Sequence, residues 1–253
     1  MWDVPAALSP SAEIEKIIDG RFSIKNYLVK KEGHEKTLLC SENGDCIVRN
    51  TIKKPCDISV YRRLLGISSP HICNILDIGE DDGSFAVWEE YCEGMTLAEA
   101  CEMQMSEGRA VDIALSVCEG LYAIHSCGVI HRDLKPENII LSDENSVKII
   151  DYDAARVYKA GSSEDTRLLG TCGFAAPEQF GFGQTDVRTD IFSLAVVLNF
   201  MLTGSHPSVK LCGNKHISRV LRKCLAISAE DRYPNVEEVY ADLKKARKRC
   251  KDE

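Results

Sequence analysis

The hydrophobic period changes near residue 95, and this limits the fold more than any other feature of the chain. Before it come short β-like runs, "FSIKNYLVKK", "KTLLCSENGDCIVRNTI" and "ICNILDIGEDDGSFAVWEEY". The tetrapeptides "ENGD" and "EDDG" inside them are hairpin signals, because Asn-Gly and Asp-Gly adopt the backbone angles of a tight reversal. One helix, "DISVYRRLLGI" (57–67), interrupts the strands. After residue 95 the pattern is helical: Val111, Leu115, Cys118, Leu121 and Ile124 recur along one helix face. Strands first and helices afterwards predict an α+β fold of two unlike lobes, with a ligand cleft between them. A short helix is also expected over 8–20, opened by Ser9 and Pro10 and stopped by Gly20.

The longest apolar stretch, "IFSLAVVLNFMLTG" (191–204), is too short to span a bilayer and carries Asn199, so it reads as a buried helix. A net charge of −8 argues against general nucleic-acid binding. The basic end "KKARKRCK" (244–251) reads as a solvated helix terminus. Twelve cysteines without one C-x-x-C pair read as thiols acting as small hydrophobes. "MWDVPAALSPSAE" lacks the basic start and apolar core of a leader peptide. Together these features point to the cytoplasm, with no membrane span.

Against that background the run "VIHRDLKPENII" (129–140) stands out, because it crowds charged and amide groups between β-formers. Burying an unpaired polar group costs about 2–7 kcal/mol, so such groups either sit in a solvated turn or converge on a ligand. The strands "IIL" and "VKII", joined by "SDENS", form a hairpin that brings Asn138 towards Asp151. A carboxylate with an amide oxygen is a hard donor pair suited to Mg²⁺. Asp133 is then a separate proton acceptor and Lys135 a fixed positive charge. These are the parts that phosphoryl transfer requires.

"HRDLKPEN", "DYD" and "AAPE" in this order resemble the catalytic loop, metal-binding triplet and activation-segment end of the protein kinases. The resemblance covers roughly residues 20–245. It implies a bilobal kinase-like α+β fold: an extension over 1–20, a small β-rich N-lobe over 21–90, a hinge at 91–94 and a larger helical C-lobe over 95–253. It also implies ATP with Mg²⁺ or Mn²⁺ and a protein substrate. By position, Asp133 matches the catalytic aspartate, Lys135 the lysine that steadies the γ-phosphate, and Asn138 and Asp151 the metal ligands. Thr171 matches the threonine found near that aspartate in serine/threonine kinases. Nucleotide contacts are implied at Thr37, Ile47, Arg49, Glu90, Cys92, Ile140 and Asp151. Glu178 is expected to pair with Arg232, and Asp190 to accept hydrogen bonds from the catalytic-loop backbone. "APEQFG" and the compact stretch from Ser205 to His216 look most like bacterial members.

The N-lobe departs from the family pattern. Placing G-x-G-x-x-G before "TLLC" puts Lys30, Glu32 and Glu35 at the glycine positions, with Gly33 one place off. Lys30, Lys31 and Lys36 then act as flexible charges. Arg49 falls where the family carries a strand lysine, with Lys53 as the other basic candidate. Ile47 falls where a small residue is usual, and counting back from "SPHI" puts Val60 where a helix glutamate is usual. Glu89 is a candidate partner for Arg49. Tyr152 replaces phenylalanine in the triplet, with His131, Leu64 and Ile75 as stacking partners. Asp153 replaces glycine, with aspartate's tolerance of left-handed φ. Ser162, Ser163 and Thr166 offer hydroxyls whose phosphates Arg132 would receive. The reading is a serine/threonine protein kinase; the alternatives are a nucleotide- or partner-binding scaffold with little transfer, and a small-molecule phosphotransferase.

Overall fold

The computed structural model describes residues 21–81, 83–102, 105–142, 146–158, 171, 173–181, 184–250 and 252. The helix expected over 8–20, Ser162, Ser163, Thr166 and Cys172 lie outside them. The chain divides into two compact units, one of Met1–Ile67 with Asn74–Tyr91, the other of Ser68–Cys73 with Cys92–Glu253. Residues 68–73, expected in the first unit, belong to the second. Ile149 donates to the His71 carbonyl (3.0 Å), and Cys73 donates to the Ile149 carbonyl (2.8 Å).

The first unit is an antiparallel sheet of β1 (Phe22–Lys31), β2 (His34–Ser41), β3 (Cys46–Lys53), β4 (Ile75–Asp81) and β5 (Ser84–Glu90), with one helix, α1 (Ser59–Leu64). Its strand order is β1-β2-β3-β5-β4. Glu32 and Gly33 make the β1–β2 reversal, and Gly33 takes φ +78°, a conformation that a Cβ disfavours. "ENGD" makes the β2–β3 turn, as its composition predicts. At its mouth Cys40 and Cys46 form a disulfide, against the expectation that every cysteine is a thiol. The pairing register makes them direct cross-strand partners, 4.2 Å apart at Cα, a proximity that appears only once the hairpin is folded.

Directly opposed residues of an antiparallel pair share a sheet face. Lys36 and Leu38 therefore share one face with Val48, Asn50 and Glu89. Thr37 and Leu39 share the other face with Ile47, Arg49, Trp88 and Glu90. The first face is the one that meets α1. The fully buried Asn50 donates from Nδ2 to the Tyr61 hydroxyl (3.1 Å) and to Glu89 Oε1 (2.9 Å), and its Oδ1 meets His34 Nε2 at 2.8 Å. On the second face Leu39 and Trp88 pack with Ile47 and Phe22. Cover on both faces explains why Lys36, Thr37, Leu38 and Leu39 are consecutively buried, without the alternation of a half-exposed strand.

In the second unit β6 (Met95–Thr96), α2 (Leu97–Ala100), α3 (Glu107–Ser126) and β7 (Val129–Ile130) come first. Then follow β8 (Ile139–Leu141), β9 (Val147–Ile149), β10 (Arg156–Val157), α4 (Val187–Thr203), α5 (Lys215–Cys224) and α6 (Val236–Arg247). The Ser106 hydroxyl caps α3 and a reciprocal Asp186/Thr189 box caps α4. Val111, Cys118, Leu121 and Ile124 are buried as the period predicts, with Leu115 at the margin. Asn199 is tolerated inside apolar α4 because it is fully used: Nδ2 donates to the Ser205 and Lys210 carbonyls, and Oδ1 accepts from the Cys212 amide. Gly94, at φ +143°, passes so close to β8 that a Cβ would strike the Leu141 carbonyl. Arg247 near the basic end is bidentate to Asp112 of α3 (2.7 and 2.9 Å). No described helix is long and apolar enough to cross a membrane.

Candidate active site

The loop after β7 is held by a buried carboxylate. Asp190, in the first turn of α4, accepts from the backbone amides of His131 (2.9 Å) and Arg132 (2.8 Å), as expected, and also meets His125 Nε2 at 2.8 Å. Arg132 takes φ +65°, a strained conformation for a bulky residue, and its surroundings over-determine it. Its Nε donates to the Ala154 carbonyl (2.8 Å), while its own carbonyl accepts from Gln179 Nε2 (2.7 Å). The Gln179 bond has no signature in sequence. Burial pushes the Asp190 pKa up, but the hydrogen bonds and charges of His125 and His131 outweigh it and hold the carboxyl below its ordinary range. A carboxyl depressed in the fold stabilises it above the unfolded value of about 4, and that contribution is lost as pH falls through the folded value. Asp190→Asn is thus expected to flatten the acid limb of melting temperature against pH below about pH 4. Parallel acid limbs for variant and wild type would contradict this.

Four side chains then converge. Thr171 Oγ1 donates to Asp133 Oδ1 at 2.6 Å. Lys135 Nζ lies 2.9 Å from Asp133 Oδ2 and 3.0 Å from Thr171 Oγ1. Asn138 Nδ2 donates to the Asp133 carbonyl (2.9 Å) and to Oδ2 (3.1 Å). Local geometry makes this possible, since Pro136–Asn138 is a 3₁₀ turn that folds Asn138 back on Asp133 before β8 begins. The result is an oriented carboxylate, already accepting from one alcohol and neighboured by a fixed ammonium.

The β8–β9 register places Asn138 beside Asp151: Ile139 pairs with Ile149, and the Ile150 amide donates to the Asn138 carbonyl at 2.9 Å. With its amide nitrogen turned to Asp133, Asn138 presents Oδ1 as its remaining donor atom for a cation. An amide oxygen and a carboxylate fit Mg²⁺, which takes few protein ligands and completes its shell with phosphate and water. Among the described residues no cluster of three or more His, Cys, Asp or Glu side chains forms a metal cage. The left-handed residue of the triplet is Asp151, at φ +70°, and not Asp153 as expected; the Asp153 amide donates back to Asp151 Oδ1 at 3.2 Å. Tyr152 is buried edge-on to His131, 5.9 Å between ring centroids, and its hydroxyl donates to the Cys73 carbonyl at 2.8 Å. Glu178 and Arg232 form the expected pair, with Nη1–Oε1 and Nη2–Oε2 distances of 2.7 and 2.9 Å.

A family model described as the protein kinase domain matches residues 50–252. The chain belongs to the protein kinase family. It is 29% identical over 232 residues to a probable serine/threonine-protein kinase of Clostridium perfringens, covering 82% of this chain and 33% of that protein. It is 30% identical over 208 residues to the serine/threonine-protein kinase PknB of Mycobacterium tuberculosis, covering 70% of this chain and 33% of that protein. To a probable PknB of Lactococcus lactis it is 28% identical over 202 residues. The chain spans about a third of the length of these curated relatives.

The positions that the family pattern assigns to nucleotide contact in this kinase domain are spread over both units. Cys92 and Ile140 lie in the second, with Ile140 on β8 opposite Lys148. Glu90 Oε2 accepts from the amide (3.2 Å) and Nδ2 (2.7 Å) of Asn74. Thr37, Ile47 and Arg49 share the sheet face of Trp88, and the Arg49 guanidinium lies 5.3 Å from that ring's centroid. This corrects the register. Asn50, and not Arg49, is the β3 residue that meets α1, and the contact comes from Tyr61, one residue past Val60. Glu89 bonds Asn50 in place of the expected Arg49. Lys36 is buried on the strand, while Lys30 and Lys31 are exposed. Gly33 carries a sequence signal for the β1–β2 turn alone: set as the middle glycine, it moves the flanking positions to Lys31 and Lys36, whereas the faces of Arg49, Asn50 and Glu89 follow from strand pairing.

Proposed function

We propose that this domain is an ATP- and Mg²⁺-dependent serine/threonine protein kinase. The observation that carries the proposal is the convergence of Asp133, Lys135, Asn138 and Thr171 around one carboxylate. Asp133 orients the attacking hydroxyl of the protein substrate and accepts its proton. Thr171 and Asn138 hold that carboxylate in one rotamer, and Lys135 sets positive charge beside the group in transit. Asn138 and Asp151 are the residues that would hold Mg²⁺. Bound Mg²⁺ neutralises phosphate charge and fixes the nucleotide's terminal group. The Glu178–Arg232 pair anchors the end of the activation segment, the platform that a protein substrate needs. The curated relatives carry the names of serine/threonine-protein kinases, which supports the same hydroxyl class. Action in the cytoplasm, where ATP is plentiful, belongs to the proposal.

Intact-mass measurement after incubation with Mg²⁺ or Mn²⁺ and ATP tests it, alongside a generic Ser/Thr acceptor protein. Phosphoryl additions to either are expected. None with either metal, with nucleotide binding preserved, would replace the enzyme with a scaffold. Asp151→Asn is expected to remove the Mg²⁺ dependence of ATP-induced thermal stabilisation; full retention of that dependence would place the metal elsewhere.

A further inference from the structure

Polyphosphate recognition requires a cation held in place, and the α1-facing side of the sheet lacks one on β3. Asn50 stands there instead. It has no donor left for a phosphate, since both hydrogens of Nδ2 are committed, one to Tyr61 and one to Glu89. Glu89 is itself a buried carboxylate, which repels phosphate. Arg49 has the charge but lies over Trp88 on the opposite face.

The adjacent strand supplies the missing group. Lys36 of β2 is the direct register partner of Asn50, on the same face. Opposed residues of this kind hold their Cβ atoms about 4.5–5.5 Å apart, well within the length of a lysine stem. Lys36 is also the one lysine or arginine of the first unit that is buried, among the described residues, at 7% exposure. Lys30, Lys31 and Lys53 are exposed. Burying an ammonium is costly unless an anion compensates it, so a lysine held here is built into the sheet and is not a solvated charge. The turn at Gly33, three residues earlier, sets the strand phase that directs Lys36 and not Glu35 to this face.

We propose that Lys36 is the phosphate-binding cation of the N-terminal unit, taking on β2 the part that Asn50 leaves empty on β3. The ligand class is the α- and β-phosphates of a nucleoside triphosphate, and the inference rests on the ATP-dependent reading above.

The test compares ATP with adenosine, which lacks every phosphate, in Mg²⁺ buffer. Lys36→Met is expected to weaken ATP binding by about 10–100-fold, the worth of one charge-assisted hydrogen bond, and to leave adenosine binding unchanged. Arg49→Met is expected to change neither. Lys36→Met/Asn50→Lys, which returns the ammonium to β3, is expected to recover ATP binding; a merely structural loss would not be rescued this way. In the wild type, ATP but not adenosine is expected to protect Lys36 from amine acylation, a readout that needs no variant to fold. Unchanged ATP affinity in Lys36→Met, or acylation of Lys36 indifferent to ATP, overturns the inference. If transfer depends on Asp133 but not on Lys36, this inference fails and the kinase reading stands. If ATP binding depends on Lys36 but no transfer occurs, the kinase reading fails and Lys36 stands. A wild type that binds no ATP overturns both.

Discussion

Asp133→Asn is expected to lower phosphoryl transfer by about 10²–10⁴-fold, the range for removing a positioned general base, with little change in melting temperature. Its carboxylate serves two sides at once. Thr171 donates to Oδ1, and Lys135 and Asn138 both donate to Oδ2. An amide presents one oxygen and one NH₂, so a donor must face a donor on one side, and no group remains to take the substrate's proton. The fold tolerates this because the side chain is 17% exposed and water can reach the mismatched group. Steady-state transfer to a Ser/Thr acceptor, measured beside ATP affinity, checks both halves. Activity within about threefold of wild type would remove Asp133 from the chemistry, because general-base contributions are far larger.

Arg232→Met is expected to destabilise the domain by about 3–5 kcal/mol, the cost of breaking one side of a buried ion pair. At about 2–4 °C per kcal/mol for a domain of this size, the melting temperature falls by roughly 6–20 °C. The Arg232 side chain is fully buried and Glu178 nearly so. All five guanidinium hydrogens find acceptors: two on Glu178, the rest on the carbonyls of Arg188, Ala226 and Ile227. Its removal leaves a buried carboxylate that, among the described residues, keeps the Thr189 hydroxyl as a side-chain donor. Glu178→Gln added to Arg232→Met is expected to recover part of the loss, because a neutral amide costs less to bury unpaired than a carboxylate. Arg232→Lys is expected to restore little, since one ammonium cannot reproduce the fork. Thermal melts of the three variants decide this; an Arg232→Met shift under about 2 °C, less than 1 kcal/mol, would mean that the pair contributes almost nothing.

Legibility differed between the two units for a physical reason. Asp133, Lys135 and Asn138 lie within six residues, and a single 3₁₀ turn brings them together, so spacing along the chain is nearly spacing in space. Asp151 is one short hairpin further, and the hairpin's own turn and apolar pattern identify it. Residue order was therefore enough to bring Asp133, Lys135, Asn138 and Asp151 forward as candidates, whereas the Glu178–Arg232 pair and the anchoring role of Asp190, which join residues 54 or more positions apart, came from the resemblance to the protein kinases. In the N-terminal sheet the side-chain period is two, and a slip of one residue moves every group to the opposite face. That slip separates Arg49, over Trp88, from Asn50, against Tyr61 and Glu89. Asn50 and Glu89 are 39 positions apart and meet only across paired strands, as do Cys40 and Cys46. Which cation shares a face with which amide is a property of strand pairing, and only the folded sheet decides it.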